Sequence, residues 1–133
     1  MASAERVRMP VRAAVMKRIL VVDDNVDAAT SLALLLRAMG HEVFVAHDGP
    51  TALADLSRIR PDVALLDIGM PLANGYEVAR KIREAPEGEG VLLIAITGWA
   101  QDADKAESRA AGFDHHLTKP IEPETLIGLL GRP

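Results

Sequence analysis

The stretch Arg60-Pro61-Asp62-Val63-Ala64-Leu65-Leu66-Asp67-Ile68-Gly69-Met70-Pro71 decides how the rest of the chain is read. Its apolar run, Val63 to Leu66, is bounded by Pro61 on one side and by Gly69 and Pro71 on the other. A short unbroken apolar run between such breakers marks a strand covered on both faces, as in a parallel sheet. Asp67 follows the last Leu, where the strand runs out into a loop, so its carboxylate is expected at a sheet edge with no burial cost. Ligands collect at strand ends of this kind. Alone the signal is weak, because many strands end in Asp.

Working outward, Lys17 to Val22 reads as a first strand running into Asp23-Asp24-Asn25. Asn25 suits a helix N-cap, with Asp27 in the first turn. Ala28, Leu32, Leu35, Leu36 and Met39 then recur at helical spacing until Gly40 stops them. Glu42 to Ala46 is a second strand, and residues 50–59 a short helix with Ala52, Leu53, Leu56 and Ile59 inward. Beyond the central strand, Gly75 to Glu84 forms a helix with Val78, Ala79 and Ile82 on its apolar face. Val91 to Ile96 is the most apolar strand and ends at Thr97. The helix predicted over 100–111 offers an inner face of alanines only, Ala103, Ala106 and Ala110 among them, so it should dock weakly. Gly112 ends it, Phe113 to Leu117 is a fifth strand, and Pro123 to Leu130 a last helix with Pro at its start. Strand then helix, five times over, predicts an α/β fold: a five-stranded parallel sheet flanked by helices.

The 133 residues fit one domain, with 1–16 read as a flexible N-terminal extension and 17–131 as the folded unit. With 49% hydrophobic but only 3% aromatic residues, the core must be built from Leu, Ile, Val and Ala. A net charge of -4 offers no general field for nucleic acid or an anionic membrane. The absence of Cys excludes disulfides and Cys-ligated zinc. The longest apolar runs fall far short of the ~20 residues that span a bilayer. Arg6, Arg8 and Arg12 precede no apolar segment of a secretory signal, so a cytoplasmic protein is expected.

Strand ends carry the chemistry. The first bears Asp23 and Asp24, the third Asp67, the fourth Thr97 and the fifth Lys119. In a parallel sheet these ends share one edge, so three carboxylates, a hydroxyl and an ammonium converge. Carboxylates so placed repel one another unless a cation joins them. Oxygen ligands suit a hard ion such as Mg²⁺, and Thr97 and Lys119 are then donors fit for a phosphoryl group.

The motifs Ile19-Leu20-Val21-Val22-Asp23-Asp24-Asn25, Leu66-Asp67-Ile68-Gly69-Met70-Pro71, Asn74-Gly75-Tyr76-Glu77, Ile96-Thr97-Gly98 and Thr118-Lys119-Pro120 give the chain a family resemblance. It resembles the receiver domain of two-component response regulators over residues 17–130, and its wording is closest to receivers of hybrid histidine kinases. The resemblance implies a flavodoxin-like (βα)5 fold with strand order 2-1-3-4-5. It implies Asp67 as the phosphoacceptor, attacking the phosphohistidine of a sensor histidine kinase or a histidine phosphotransfer protein. Asp24, Asp67 and the backbone carbonyl of Gly69 would bind Mg²⁺, and Asp23 would act through metal-bound water. Lys119 would pair with the phosphoryl oxygens, Thr97 would hydrogen-bond one of them, and the Lys119–Pro120 bond would be cis.

The chain departs from the family pattern at His116, where an aromatic switch residue is usual; imidazole is smaller and titrates near neutrality. Gly98 stands where Ala is commoner, and the resemblance implies that Trp99 borders the acceptor site, so Thr97, His116 and Trp99 are the expected switch set. His41 and His47 read as solvated loop or strand-edge residues. An Asp-nucleophile phosphatase is the alternative activity, but such enzymes need an acid/base Asp where this chain has Gly69. An unphosphorylated scaffold would have no use for all five site residues. The chain begins with Met and carries no kinase or DNA-binding domain, so it is expected to be either a single-domain regulator acting on a protein partner or a receiver from a hybrid kinase.

Overall fold

The structure, a computed structural model, describes residues 16–69, 74–98 and 102–131, without the side chains of 102–105. The strands are β1 (Arg18–Val22), β2 (Glu42–Ala46), β3 (Val63–Asp67), β4 (Leu92–Thr97) and β5 (His115–Thr118). They alternate with α1 (Val26–Ala38), α2 (Gly49–Ile59), α3 (Gly75–Glu84), α4 (Asp102–Ala111) and α5 (Pro123–Leu130). All strand pairs are parallel, in the order β2-β1-β3-β4-β5. The fold is therefore the parallel α/β sandwich that the alternation of strand and helix predicts, in the flavodoxin-like (βα)5 strand order that the family resemblance implies.

Register sets which side chains share a layer. Val22 lies beside both Ala46 and Leu66, and Leu66 beside Ala95. Side chains alternate across a strand, so these four face α2 and α3, packing with Ala52, Leu56, Val78 and Ile82. Their neighbours Val21, Leu65 and Ile96 face α1 and α5, where Leu36, Leu126 and Leu130 cover them. No helix among the described residues is long and apolar enough to cross a membrane.

Local chemistry fixes the helix starts. Asn25, Asp48 and Asn74 each accept from a backbone N–H of the first turn, at 2.9, 2.7 and 2.9 Å respectively. Gly75 is required by close approach rather than by φ: a Cβ there would sit 2.6 Å from Ile68 Cα. Packing α3 this tightly against the end of β3 fixes Ile68 directly after Asp67.

The apolar face expected on α1 packs on the core, and two other packing expectations are corrected. On α1, Ala29 and Ala33 are buried with Leu36 and Met39, while Ala28, Leu32 and Leu35 are only half-buried. Small residues let the helix axis approach the sheet, and the leucines flank the contact. On α4, Ser108 and Ala111 are buried whereas Ala106 and Ala110 are exposed; the Ala103 side chain lies outside the described ones. A methyl group buries too little to choose the face, so the helix is set by its C-terminal end. There Phe113 N–H donates to Ser108 O at 3.0 Å, Gly112 has φ 106, and Arg83 holds the Gly112 carbonyl through Nε (3.0 Å) and Nη2 (2.8 Å).

His41 is the second correction, for it is buried at 5% exposure. Its Nδ1 accepts the Lys17 N–H at 3.1 Å, tying the α1–β2 turn to the start of β1. Burial, helped by the Lys17 charge, pushes the His41 imidazole below its ordinary value of 6.5.

Candidate functional site

The in-register sheet brings the strand-end residues to one edge. Asp67 ends β3 beside Ile96, Thr97 is paired with Thr118, and Lys119 follows directly. Asp23 leaves β1 with its N–H on Ala46 O at 3.1 Å, and Lys119 N–H reaches Thr97 O at 2.8 Å. The two-residue period places Asp23 and Asp67 on the α1/α5 side of the sheet, with Lys119 beside them. Thr97 and His116 fall on the opposite side, toward α4.

Asp23, Asp24 and Asp67 each offer a carboxylate oxygen, and these atoms lie within 4.8 Å of one another. Lys119 Nζ lies between the two buried ones, 3.4 Å from Asp67 Oδ2 and 3.6 Å from Asp23 Oδ2. Asp67 is only 9% exposed and Asp23 5%, which corrects the expectation that a strand-end carboxylate escapes burial. Shielded from water in this way, the two charges depend on their partners. Asp67 Oδ1 accepts from Gly69 N–H at 2.8 Å, which leaves Oδ2 facing the ammonium. Asp23 Oδ1 accepts from Asn25 N–H at 2.9 Å.

Burial raises the Asp23 carboxyl above its ordinary 3.8; the Asn25 N–H opposes the rise, the Asp67 charge adds to it, and Lys119 opposes it again. One ammonium against three carboxylates leaves the cluster two negative charges in excess. A divalent cation with oxygen ligands balances that excess and takes one or two carboxylates directly. The donor set therefore fits Mg²⁺.

Thr97 is buried at 5% exposure at the end of β4. His116 is half-buried and lines a cavity of about 140 Å³ between α4 and β5, together with Ser108 and Phe113. Lys119–Pro120 is cis. Trp99 lies outside the described residues, as do Met70 and Pro71. The sequence reading missed His47, which is exposed as expected but places Nδ1 2.9 Å from the Asp23 carbonyl. The strand-end rule applied to β2 would have found it.

Residues 19–130 match the response regulator receiver domain family. The chain belongs to that family. It is 36% identical over 112 residues to the PilH protein of Pseudomonas aeruginosa, spanning 84% of this chain and 93% of PilH. Among solved structures it resembles the chemotaxis protein CheY4 of Vibrio cholerae, with TM-score 0.82, 32% identity, and 86% and 96% of the two chains covered. It also resembles the receiver domain of the Pseudomonas aeruginosa sensor histidine kinase PA1611, with TM-score 0.79, 33% identity, and 86% and 94% covered. That receiver holds a magnesium ion in its active-site cleft. The chain is thus a two-component phosphoacceptor domain that uses Mg²⁺ and works with a sensor kinase, not an enzyme with a separate substrate.

Proposed function

We propose that Asp67 is the phosphoacceptor and that Asp24, Asp67 and the Gly69 carbonyl hold Mg²⁺, with Asp23 acting through metal-bound water. The carrying observation is the meeting of Asp23, Asp24 and Asp67 within 4.8 Å, with Lys119 lying between Asp23 and Asp67. Mg²⁺, when bound, supplies positive charge that offsets the phosphoryl oxygens during transfer. An Asp67 carboxylate oxygen bonds to phosphorus as the N–P bond of the donor phosphohistidine breaks, and the imidazole leaves with that electron pair. Gly69 N–H holds the carboxylate through Oδ1, so Asp67 meets the donor in one orientation. Lys119 starts on the Asp67 and Asp23 carboxylates and follows the charge onto the phosphoryl oxygens.

Thr97 and His116 turn the covalent change into a structural one. The Thr97 hydroxyl bonds a phosphoryl oxygen, drawing the end of β4 and the start of α4 toward the acceptor. Ser108 and Ala111 bury little area, so the gap between two dockings of α4 is only a few kcal/mol. His116, beside the cavity under α4, takes the place of the usual aromatic switch, with Trp99, two positions after Thr97 in sequence, as the third member of the switch set. The phosphoacceptor unit is residues 17–131, with 1–16 as an extension before it.

The test is intact mass after incubation with Mg²⁺ and a small phosphodonor. Wild-type protein is expected to gain one phosphoryl group, and Asp67→Asn to gain none while keeping its fold. Steady phosphate release without mass gain identifies a phosphatase instead, and neither response identifies a scaffold.

A further inference from the structure

The two acidic residues at the end of β1 are joined by one peptide group. That group is planar, so the direction of the Asp23 carbonyl fixes how Asp24 leaves the strand. The Asp24 side chain is exposed, and its aim is therefore left to the backbone. On the β2 side, Asp23 N–H donates to Ala46 O at 3.1 Å, and His47 Nδ1 lies 2.9 Å from Asp23 O. A carbonyl oxygen only accepts, so the proton of this bond is on Nδ1. Asp23 Oδ1 is held independently by Asn25 N–H at 2.9 Å.

We infer that His47 is a positioning residue for the acceptor site: its Nδ1–H orients the Asp23–Asp24 peptide and through it aims Asp24 at the cation shared with Asp23 and Asp67. This rests on the reading of those three residues as the Mg²⁺ site. The role is one of geometry rather than packing. The ring is exposed, so replacing it takes little apolar area from the core. Its hydrogen bond, in contrast, reaches the one peptide that links two of the clustered carboxylates. Asn at this position places an amide N–H near the site of Nδ1, whereas Leu fills similar space without a donor.

The test titrates MgCl₂ into the ¹⁵N-labelled full chain and follows the amide shifts of Asp24, Asp67 and Gly69. Wild type, His47→Leu, His47→Asn and Asp24→Asn are compared, with urea unfolding of each run in parallel. His47→Leu is expected to bind Mg²⁺ ~3- to 10-fold more weakly, the range of one net hydrogen bond. His47→Asn should return to within about twofold of wild type, below the smallest loss expected for one net hydrogen bond. A merely structural role would move the unfolding midpoint and leave the Mg²⁺ affinity alone. Equal affinities in wild type and His47→Leu, or an Asn variant as weak as Leu, overturn the inference. Wild type and Asp24→Asn titrating alike overturns the metal-site reading itself, and the inference with it.

Discussion

Replacing Arg83 by Met is expected to loosen the edge of the sheet opposite the acceptor site. The side chain is a hub: Nη1 donates to Gly88 O (3.1 Å), Glu89 O (3.2 Å) and Val91 O (2.6 Å). Nε and Nη2 hold Gly112 O, and Nη2 pairs with Asp114 Oδ2 at 2.8 Å. Asp114 Oδ2 in turn accepts from Leu93 N–H at 2.9 Å. Met keeps the unbranched stem and removes every donor. The ion pair is partly solvated, with side chains 24% and 41% exposed, so it contributes no more than ~1 kcal/mol. The carbonyl bonds add about 1 kcal/mol each where they are shielded, and the exposed one to Glu89 adds less. Water recovers part of the loss, which leaves a destabilisation of about 2–4 kcal/mol. With a urea m-value of about 1.5 kcal/mol/M, the unfolding midpoint falls by ~1.3–2.7 M. Mass gain with a phosphodonor should survive at low urea, because none of these contacts reaches Asp67. A midpoint shift below about 0.3 M, under 0.5 kcal/mol by the same slope, would refute the clamp.

Two further outcomes follow from the same geometry. Stability should fall as pH drops below 7, since His41 is depressed below 6.5 in the fold and the unfolded chain binds the extra proton. Its contribution is complete above that value and is lost through the window beneath it, at no more than about 1.4 kcal/mol per pH unit. His41→Asn, which keeps an acceptor for the Lys17 N–H, should flatten that slope; parallel wild-type and variant profiles from pH 7.5 to 5.5 would be contrary. Beryllofluoride with Mg²⁺ should change hydrogen exchange at the start of α4 and along β5, and less at Gly112, where Arg83 anchors the helix. Changes confined to residues 17–60 would contradict the switch.

Much of this molecule is legible in one dimension because its signals are local. The run Val63 to Leu66, the Asn25 cap, and the Asp and Lys residues at strand ends each act through near neighbours or through the sheet period. Parallel register then converts sequence position into a shared edge, so Asp23, Asp67, Thr97 and Lys119 were found together. The strand order came from the family resemblance, since alternation of strand and helix does not specify which strands pair. What escaped depends on distant partners. His41 looks like a solvated turn residue until Lys17, 24 positions away, is laid over it. Arg83 looks like an exposed helix charge until Gly88, Gly112 and Asp114 converge on its guanidinium. The inner face of α4 was misread because alanines carry almost no preference, and its rotation is decided at Gly112.

The central claim is that the Asp67 carboxylate carries the phosphoryl group. Borohydride reduces an acyl phosphate to an alcohol and so marks the acceptor as homoserine. Protein incubated with Mg²⁺ and phosphodonor, reduced and digested, should carry that mark in the peptide from Ile59 to Arg80, with fragment ions placing it at Asp67 and not at Asp62. Homoserine at Asp23, Asp24 or Asp62, with Asp67 unmodified, would contradict the account.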